Sequence, residues 1–309
     1  MHATLDRITI YPVKSLDGVE VEEARVLACG ALEHDRRWRL VDGDGRVMNA
    51  KRSAVFAAVR AEFDLYARRL TLSVDERLLA ARALCAADLG RLSGLARESF
   101  AIVPGRGGPC GWLAEALGGD VLLEERVEGG FPDDRESPGP TLVATASLAE
   151  VARWFGLELG EVRRRFRMNL EIGGCDAFWE DTLASPAREP PTPSLFELPE
   201  GLTIDPYADL PPLEPREFSV GEVRFVATNV CRRCVVPSRD SRSGAVTEHF
   251  RDAFEAWRRR GLRPDVDAAG WGGLFRLGVN TQVRSVGRGI RSGDDLGSIP
   301  LRSDDNALA

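Results

Sequence analysis

Residues 4–13 read Thr-Leu-Asp-Arg-Ile-Thr-Ile-Tyr-Pro-Val and set Leu5, Ile8, Ile10 and Tyr11 into an otherwise polar run. Alternation of this kind predicts a β-strand with one face in a core. Further along the chain, Val19–Leu27 predicts a second strand. Arg37–Val41 and Arg46–Asn49 flank Asp42-Gly43-Asp44-Gly45, a hairpin signal because Asp and Gly tolerate positive φ. Val55–Asp64 and Arg69–Val74 add two strands, spaced as in a barrel or sandwich. A short helix over Gly111–Leu117 and a strand over Val121–Glu125 complete this part.

Gly129 to Pro140 holds three Pro and three Gly among charged residues and reads as a linker. Ser147, with Glu150 three residues on, has capping-box spacing and predicts a helix through Phe155. Phe166–Ile172, Glu222–Thr228 and Leu274–Val279 read as strands, and Val246–Arg260 as a helix with Phe250, Phe254 and Trp257 on one face. Residues 186–215 carry nine of the 18 prolines, which excludes regular structure and predicts a surface loop or an insertion. The polar tail from Arg302 is expected to fray.

With 309 residues the chain has room for two domains. Hydrophobic residues make up 43% and charged residues 29%, and the net charge is −7. That balance excludes wholesale disorder and argues against a general nucleic-acid partner. No stretch reaches the ~20 apolar residues of a membrane span and no signal-peptide core opens the chain, so a cytoplasmic location is expected. Of 41 basic residues only Lys14 and Lys51 are Lys. A compact ammonium does a different job from a planar guanidinium, so each lysine merits a separate look.

Six cysteines are too few for a disulfide scaffold, and only Cys231 and Cys234 form a local motif, Cys-Arg-Arg-Cys. Cations beside a thiol favour the thiolate. A zinc site, a redox dithiol, a single soft ligand for a metal carried by a larger cofactor, and two inert cysteines all remain open. Phosphate loops, HExxH and nucleophile-elbow motifs are absent from the sequence. Lys14-Ser15, Asp35-Arg36-Arg37-Trp38 and Arg165-Phe166-Arg167-Met168-Asn169 each put cations at a strand end. Together they would supply a phosphate-sized anion with guanidinium forks and a point charge.

Ile10-Tyr11-Pro12-Val13-Lys14-Ser15 and Asp35-Arg36-Arg37-Trp38 resemble the N-terminal β-barrel domain that accompanies MOSC domains. Phe166–Leu170 with Gly173-Gly174-Cys175, then Cys231–Val236, Phe275–Asn280 and Gly289–Asp294, resemble the MOSC domain itself. The resemblance implies an α+β, mainly β protein of two β-barrel-like domains with a few peripheral helices. The N-terminal barrel domain would cover 1–128, a linker 129–140, the MOSC domain 141–301 with the Pro-rich insertion 186–215, and a disordered tail 302–309.

The resemblance also implies a molybdenum cofactor, a pterin dithiolene bearing a phosphate, held between the domains. By analogy with the amidoxime-reducing branch, Cys234 would be the catalytic metal ligand. Lys14, Ser15, Arg36, Arg167, Asn169 and Arg233 would bind the cofactor. The activity implied is reduction of a small N-hydroxylated substrate, with electrons from an external donor protein of flavoprotein, ferredoxin or cytochrome type. The alternative is a non-catalytic carrier or sulfur-delivery module for the cofactor. No Cys follows Cys234, so no iron–sulfur cluster is expected, and with two lysines a pyridoxal phosphate Schiff base is not. The chain departs from the pattern at Met168, where many relatives carry Pro, and after Cys234, where it reads Val-Val-Pro-Ser-Arg-Asp. Asp240 and His249 are the acid candidates downstream of Cys234.

Overall fold

The computed structural model describes residues 2–75, 84–184, 216–264, 266–285 and 287–298. In chain order the strands are β1 Thr4–Ile10, β2 Val19–Val21, β3 Glu23–Arg25, β4 Trp38–Val41, β5 Val47–Met48, β6 Val59–Asp64, β7 Arg69–Val74 and β8 Glu98–Ala101. They continue as β9 Leu122–Glu125, β10 Leu142–Ala144, β11 Leu170–Gly173, β12 Glu217–Val220, β13 Val223–Arg232, β14 Arg276–Val283, β15 Gly289–Arg291 and β16 Leu296–Ser298. The helices are α1 Ala86–Ser93, α2 Cys110–Leu117, α3 Thr145–Phe155, α4 Leu159–Phe166, α5 Asp181–Ala184 and α6 Phe250–Arg260.

Eight strands form a curled half-barrel in the order β16-β12-β13-β14-β10-β11-β1-β2. The opening segment therefore lies in a sheet built mostly from the second half of the chain. Strand β1 pairs antiparallel with β11 through a bulge between Leu5 and Arg7. The extra residue turns the i, i+3 spacing of Leu5 and Ile8 onto one face, and both are fully buried. Strands β10 and β11 run parallel, which requires a crossover, supplied by α3 and α4. Strand β3 pairs with β15, and Leu296 N at the start of β16 donates to Ala3 O at 2.9 Å, so the N-terminal segment meets the last strands twice.

The other strands up to Glu125, β3 aside, form two three-stranded sheets, β5-β4-β9 and β6-β7-β8. They enclose a core that includes Trp38, Leu40, Phe56, Leu70, Leu72 and Leu113. The Asp42–Gly45 hairpin forms as expected: Asp42 N donates to Arg46 O at 2.9 Å, and Gly45 takes φ +78°. Only half of the strand expected over Val55–Asp64 is strand. Ala54–Ala58 is a 3₁₀ turn, because the Ser53 hydroxyl accepts from Val55 N at 3.3 Å and caps it. A third core joins α3, α4 and α6 through stacked rings, with Phe155 and Phe250 4.1 Å apart.

Four boundaries differ from the sequence reading. Phe166 ends α4 and does not start a strand: Glu161–Arg165 pairs at i, i+4 (2.6 Å), Val162 and Phe166 bury the opposite stripe, and the strand begins at Leu170. Helix α3 starts at Thr145, so Ser147 is not its cap. Its buried hydroxyl donates to Glu180 Oε2 at 2.9 Å and accepts from Phe178 N at 2.6 Å. Strand β13 runs on to Arg232, placing Cys231 inside it. Helix α6 starts at Phe250, because His249 sits in a left-handed conformation. The Pro-rich stretch 186–215 and the tail 302–309 lie outside the described residues.

Candidate functional site

A cavity of about 710 Å³ is lined by the loop after β1, the Asp35-Arg36 turn, the 132–139 segment, the α4–β11 turn and the end of β13. Lys14, Ser15, Arg36, Arg167, Asn169, Arg233 and Cys234 all line it. Eleven Lys and Arg face it against six Asp and Glu, an excess of positive charge inside an acidic chain.

Main-chain bonds fix the first group. Lys14 N donates to Trp38 O at 2.8 Å, Trp38 N to Pro12 O at 3.0 Å and Arg36 N to Tyr11 O at 2.8 Å, which locks the two motifs side by side. Among the described residues seven non-glycine residues have positive φ, and Ser15 (74°), Arg36 (49°) and Arg167 (56°) are three of them. Such conformations cost about 1–3 kcal/mol each and concentrate at functional sites. Here each one aims a polar side chain out of a tight turn.

The segment read as a linker is stitched into the same place. Phe131 N donates to Arg36 O at 2.8 Å, and Lys14 Nζ donates to Phe131 O at 3.2 Å. Gly130 must be glycine: its φ is +58°, and a Cβ would fall 2.6 Å from Asp35 O and 2.7 Å from Arg36 O. The segment delivers Asp133, whose carboxylate lies 2.9 Å from Lys14 Nζ and 3.7 Å from Arg36 Nε. Against the desolvation of the cleft, Arg36 and Lys14 hold the Asp133 carboxyl well below the usual carboxylate range. Arg36 also pairs with Asp35 and donates to Asn169 Oδ1 at 3.2 Å. Despite burial, Asp35 and Asp133 keep it firmly protonated.

Arg167 differs. Its guanidinium lies over the Tyr11 ring, 4.1 Å from the centroid, and has no hydrogen-bond or ion-pair partner among the described residues. Burial lowers its pKa. Tyr11 is no acid here: it donates to Met168 O at 3.2 Å, and burial pushes it up to about 12. Asn169 is wholly spent on the protein. Its Oδ1 accepts from Arg36, Thr141 N (3.2 Å) and Thr141 Oγ1 (3.0 Å), and its Nδ2 donates to Thr9 O and Asp35, both at 3.0 Å. It orients Arg36 and has no free group to offer a ligand.

Cys234 follows β13 and is half-buried in the cavity wall. Arg233 is held beside it by Arg233 N donating to Phe275 O at 3.0 Å and by its guanidinium donating to Phe166 O. Cys231 is buried, donates to Asn280 Oδ1 at 3.1 Å, and is pushed by burial up to about 11. It is therefore a neutral thiol in a strand, which does not suit a redox dithiol opening a helix. Among the described residues no group of three or more His, Cys, Asp or Glu could hold a bare metal ion, which removes the zinc reading there.

Asp240 lines the cavity, but burial is outweighed by Ser243 and Arg242 donors that hold its carboxyl low, so it is a poor acid. His249 is exposed, pairs loosely with Asp252 at 3.8 Å and does not line the cavity. Sequence reasoning missed Asp133 and found no role for Lys51, and both line the cavity, as does Arg165 from the Arg165–Asn169 motif. Lys51 had a signal in the bare lysine count, since both lysines of the chain face this one cavity.

Residues 2–90 match the family model of the MOSC N-terminal beta barrel domain. No curated protein matches the chain. Among solved structures, the YuaD protein from Bacillus subtilis aligns over 96% of this chain and 94% of its own at 9% identity, with a TM-score of 0.35.

Proposed function

Starting from a chain that carries the MOSC N-terminal beta barrel domain at residues 2–90, we propose that its cleft holds a phosphate-bearing molybdenum–pterin cofactor. The chain is then an oxidoreductase acting on small N-hydroxylated substrates. MOSC-family proteins as a group are associated with molybdenum cofactor. The carrying observation is Arg167: a cation without a hydrogen-bond or ion-pair partner among the described residues, held in a left-handed turn of a cavity that also contains Lys14, Arg36 and Cys234. An unpaired guanidinium in a desolvated cleft is costly unless an anion arrives.

The donor set suits both ends of such a cofactor. Lys14, Arg36 and Arg167 are hard cations for a phosphate, with Ser15 able to add a hydroxyl. Cys234 offers a soft sulfur ligand for the metal such a cofactor carries. Asn169 and Asp35 hold the Arg36 fork in place, and Arg233 lines the same cavity wall as Cys234. When bound, the cofactor supplies two-electron oxygen-transfer chemistry. In the net reaction the N-hydroxylated substrate gains two electrons and two protons and leaves as the N–H compound and water. The electrons come from an external flavoprotein, ferredoxin or cytochrome.

Turnover of a simple N-hydroxylated substrate by protein made in a cofactor-competent host, with an artificial reductant, tests the activity. Product formation that disappears in Cys234→Ala supports it. Full cofactor loading without turnover would make the chain a carrier or sulfur-delivery module instead.

A further inference from the structure

We propose that a second, smaller cavity takes a tetrahedral oxyanion. It measures about 50 Å³ and is lined by Arg232, Arg233, Arg251 and Arg276 with Gly272 and Gly273. That is room for a small ion, given about 10–15 Å³ of such space for one water.

The sheet itself creates the demand for an anion. Arg232 and Arg276 stand directly opposite each other across β13 and β14, and like charges in that position destabilise a sheet. Arg276 is pinned and cannot swing away. Its Nη1 donates to Val230 O at 2.6 Å, its Nε to Gly273 O at 3.3 Å, and its Nη2 to Trp271 O. Among the described residues, Arg232, Arg233 and Arg276 have no carboxylate partner, and only Arg251 has one, Glu255 at 2.8 Å.

Gly272 and Gly273 take φ of +64° and +133°, and nothing lies within 4 Å of a Cβ built on either, so that wall carries no side chain. Four arginines line so small a space, and planar guanidinium forks bind the oxygens of phosphate or sulfate better than point charges do.

Arg232 and Arg233 also line the large cleft, whereas Arg251 and Arg276 line only the small cavity. The two sites share Arg232 and Arg233, and Arg251 and Arg276 are the residues that tell them apart. The oxyanion is either a free ion or the terminal phosphoryl of a larger molecule.

Isothermal titration with inorganic phosphate and with phenyl phosphate tests it, using wild type, Arg251→Gln, Arg251→Lys and Lys14→Ala. Arg251 is exposed on the first turn of α6, and equal thermal midpoints will verify that its variants fold. The expected result is binding weakened about tenfold by Arg251→Gln, the scale of a charge-assisted hydrogen bond. Arg251→Lys should weaken it less, and Lys14→Ala should leave this component unchanged. Tighter phenyl phosphate identifies a terminal phosphoryl group, and tighter inorganic phosphate a free ion. Phosphate binding that is absent, or identical in wild type and Arg251→Gln, overturns the proposal.

Discussion

Asp133 Oδ1 sits 2.9 Å from Lys14 Nζ, on a segment whose own backbone is bonded to Lys14 and Arg36. The carboxylate occupies the position of counter-charge to two residues proposed to hold a phosphate. An incoming anion competes with it. Asp133→Asn is expected to tighten phosphate binding in the large cleft about threefold, the scale of a partly exposed ion pair. Titration of cofactor-free protein measures this, and unchanged or weaker binding would show that Asp133 does not compete.

Arg167 separates stability from binding. Its φ of +56° costs a non-glycine residue about 1 kcal/mol or more, while glycine brings a similar entropic penalty. Arg167→Gly should therefore shift the unfolding free energy by less than about 1 kcal/mol yet cut cofactor retention severely. Denaturant unfolding and molybdenum content read the two effects. Loss of fold together with loss of cofactor would make Arg167 a structural residue.

Asn169 should behave in the opposite way. Its amide satisfies five hydrogen bonds between β1, β11, the Asp35 turn and Thr141. Asn169→Ala strands several buried partners and should cost about 2–4 kcal/mol. Asn169→Asp keeps the acceptor for Arg36 but loses both donors and sets a second carboxylate against Asp35, so it should be no milder. Chemical denaturation of both variants checks this, and a change under ~1 kcal/mol in either would mean that the network carries little.

A buried acid away from the cleft sets a pH dependence. Burial, then Asp181, pushes Glu180 up from 4.5 to about 8, and its Oε1 has no partner. A folded-state pKa above the unfolded one means that the proton stabilises the fold. That contribution is complete below about pH 4.5 and is lost as pH rises through about 8. The thermal midpoint should fall over this window in wild type, and Glu180→Gln should flatten the fall. Parallel profiles for the two proteins would contradict it.

Much of the candidate site was legible because its residues sit at strand ends, where a short motif fixes both position and direction. Lys14, Ser15, Arg36, Arg167, Arg233 and Cys234, named from such motifs, line one cavity. Their roles toward a cofactor remain proposals. Asp133 escaped because Pro and Gly around it read as a linker, whereas Gly130 is there to let the backbone press against the Asp35 turn. Helix α4 escaped because Arg-Phe-Arg alternates like a strand. The Glu161–Arg165 pair at i, i+4 and the burial of the Val162–Phe166 stripe, the latter a feature of tertiary packing, make it a helix. Strand β1 was readable as a strand, but local pattern could not reveal that its partner is the distant β11, with Ile8 facing Leu170.

Joint molybdenum and pterin analysis of protein made in a cofactor-competent host tests the central claim most directly. The account predicts equimolar molybdenum and pterin in wild type. It predicts loss of molybdenum in Cys234→Ala and loss of both in the Lys14→Ala, Arg167→Ala double variant. Wild-type protein carrying neither, or a double variant that retains both in full, would contradict it.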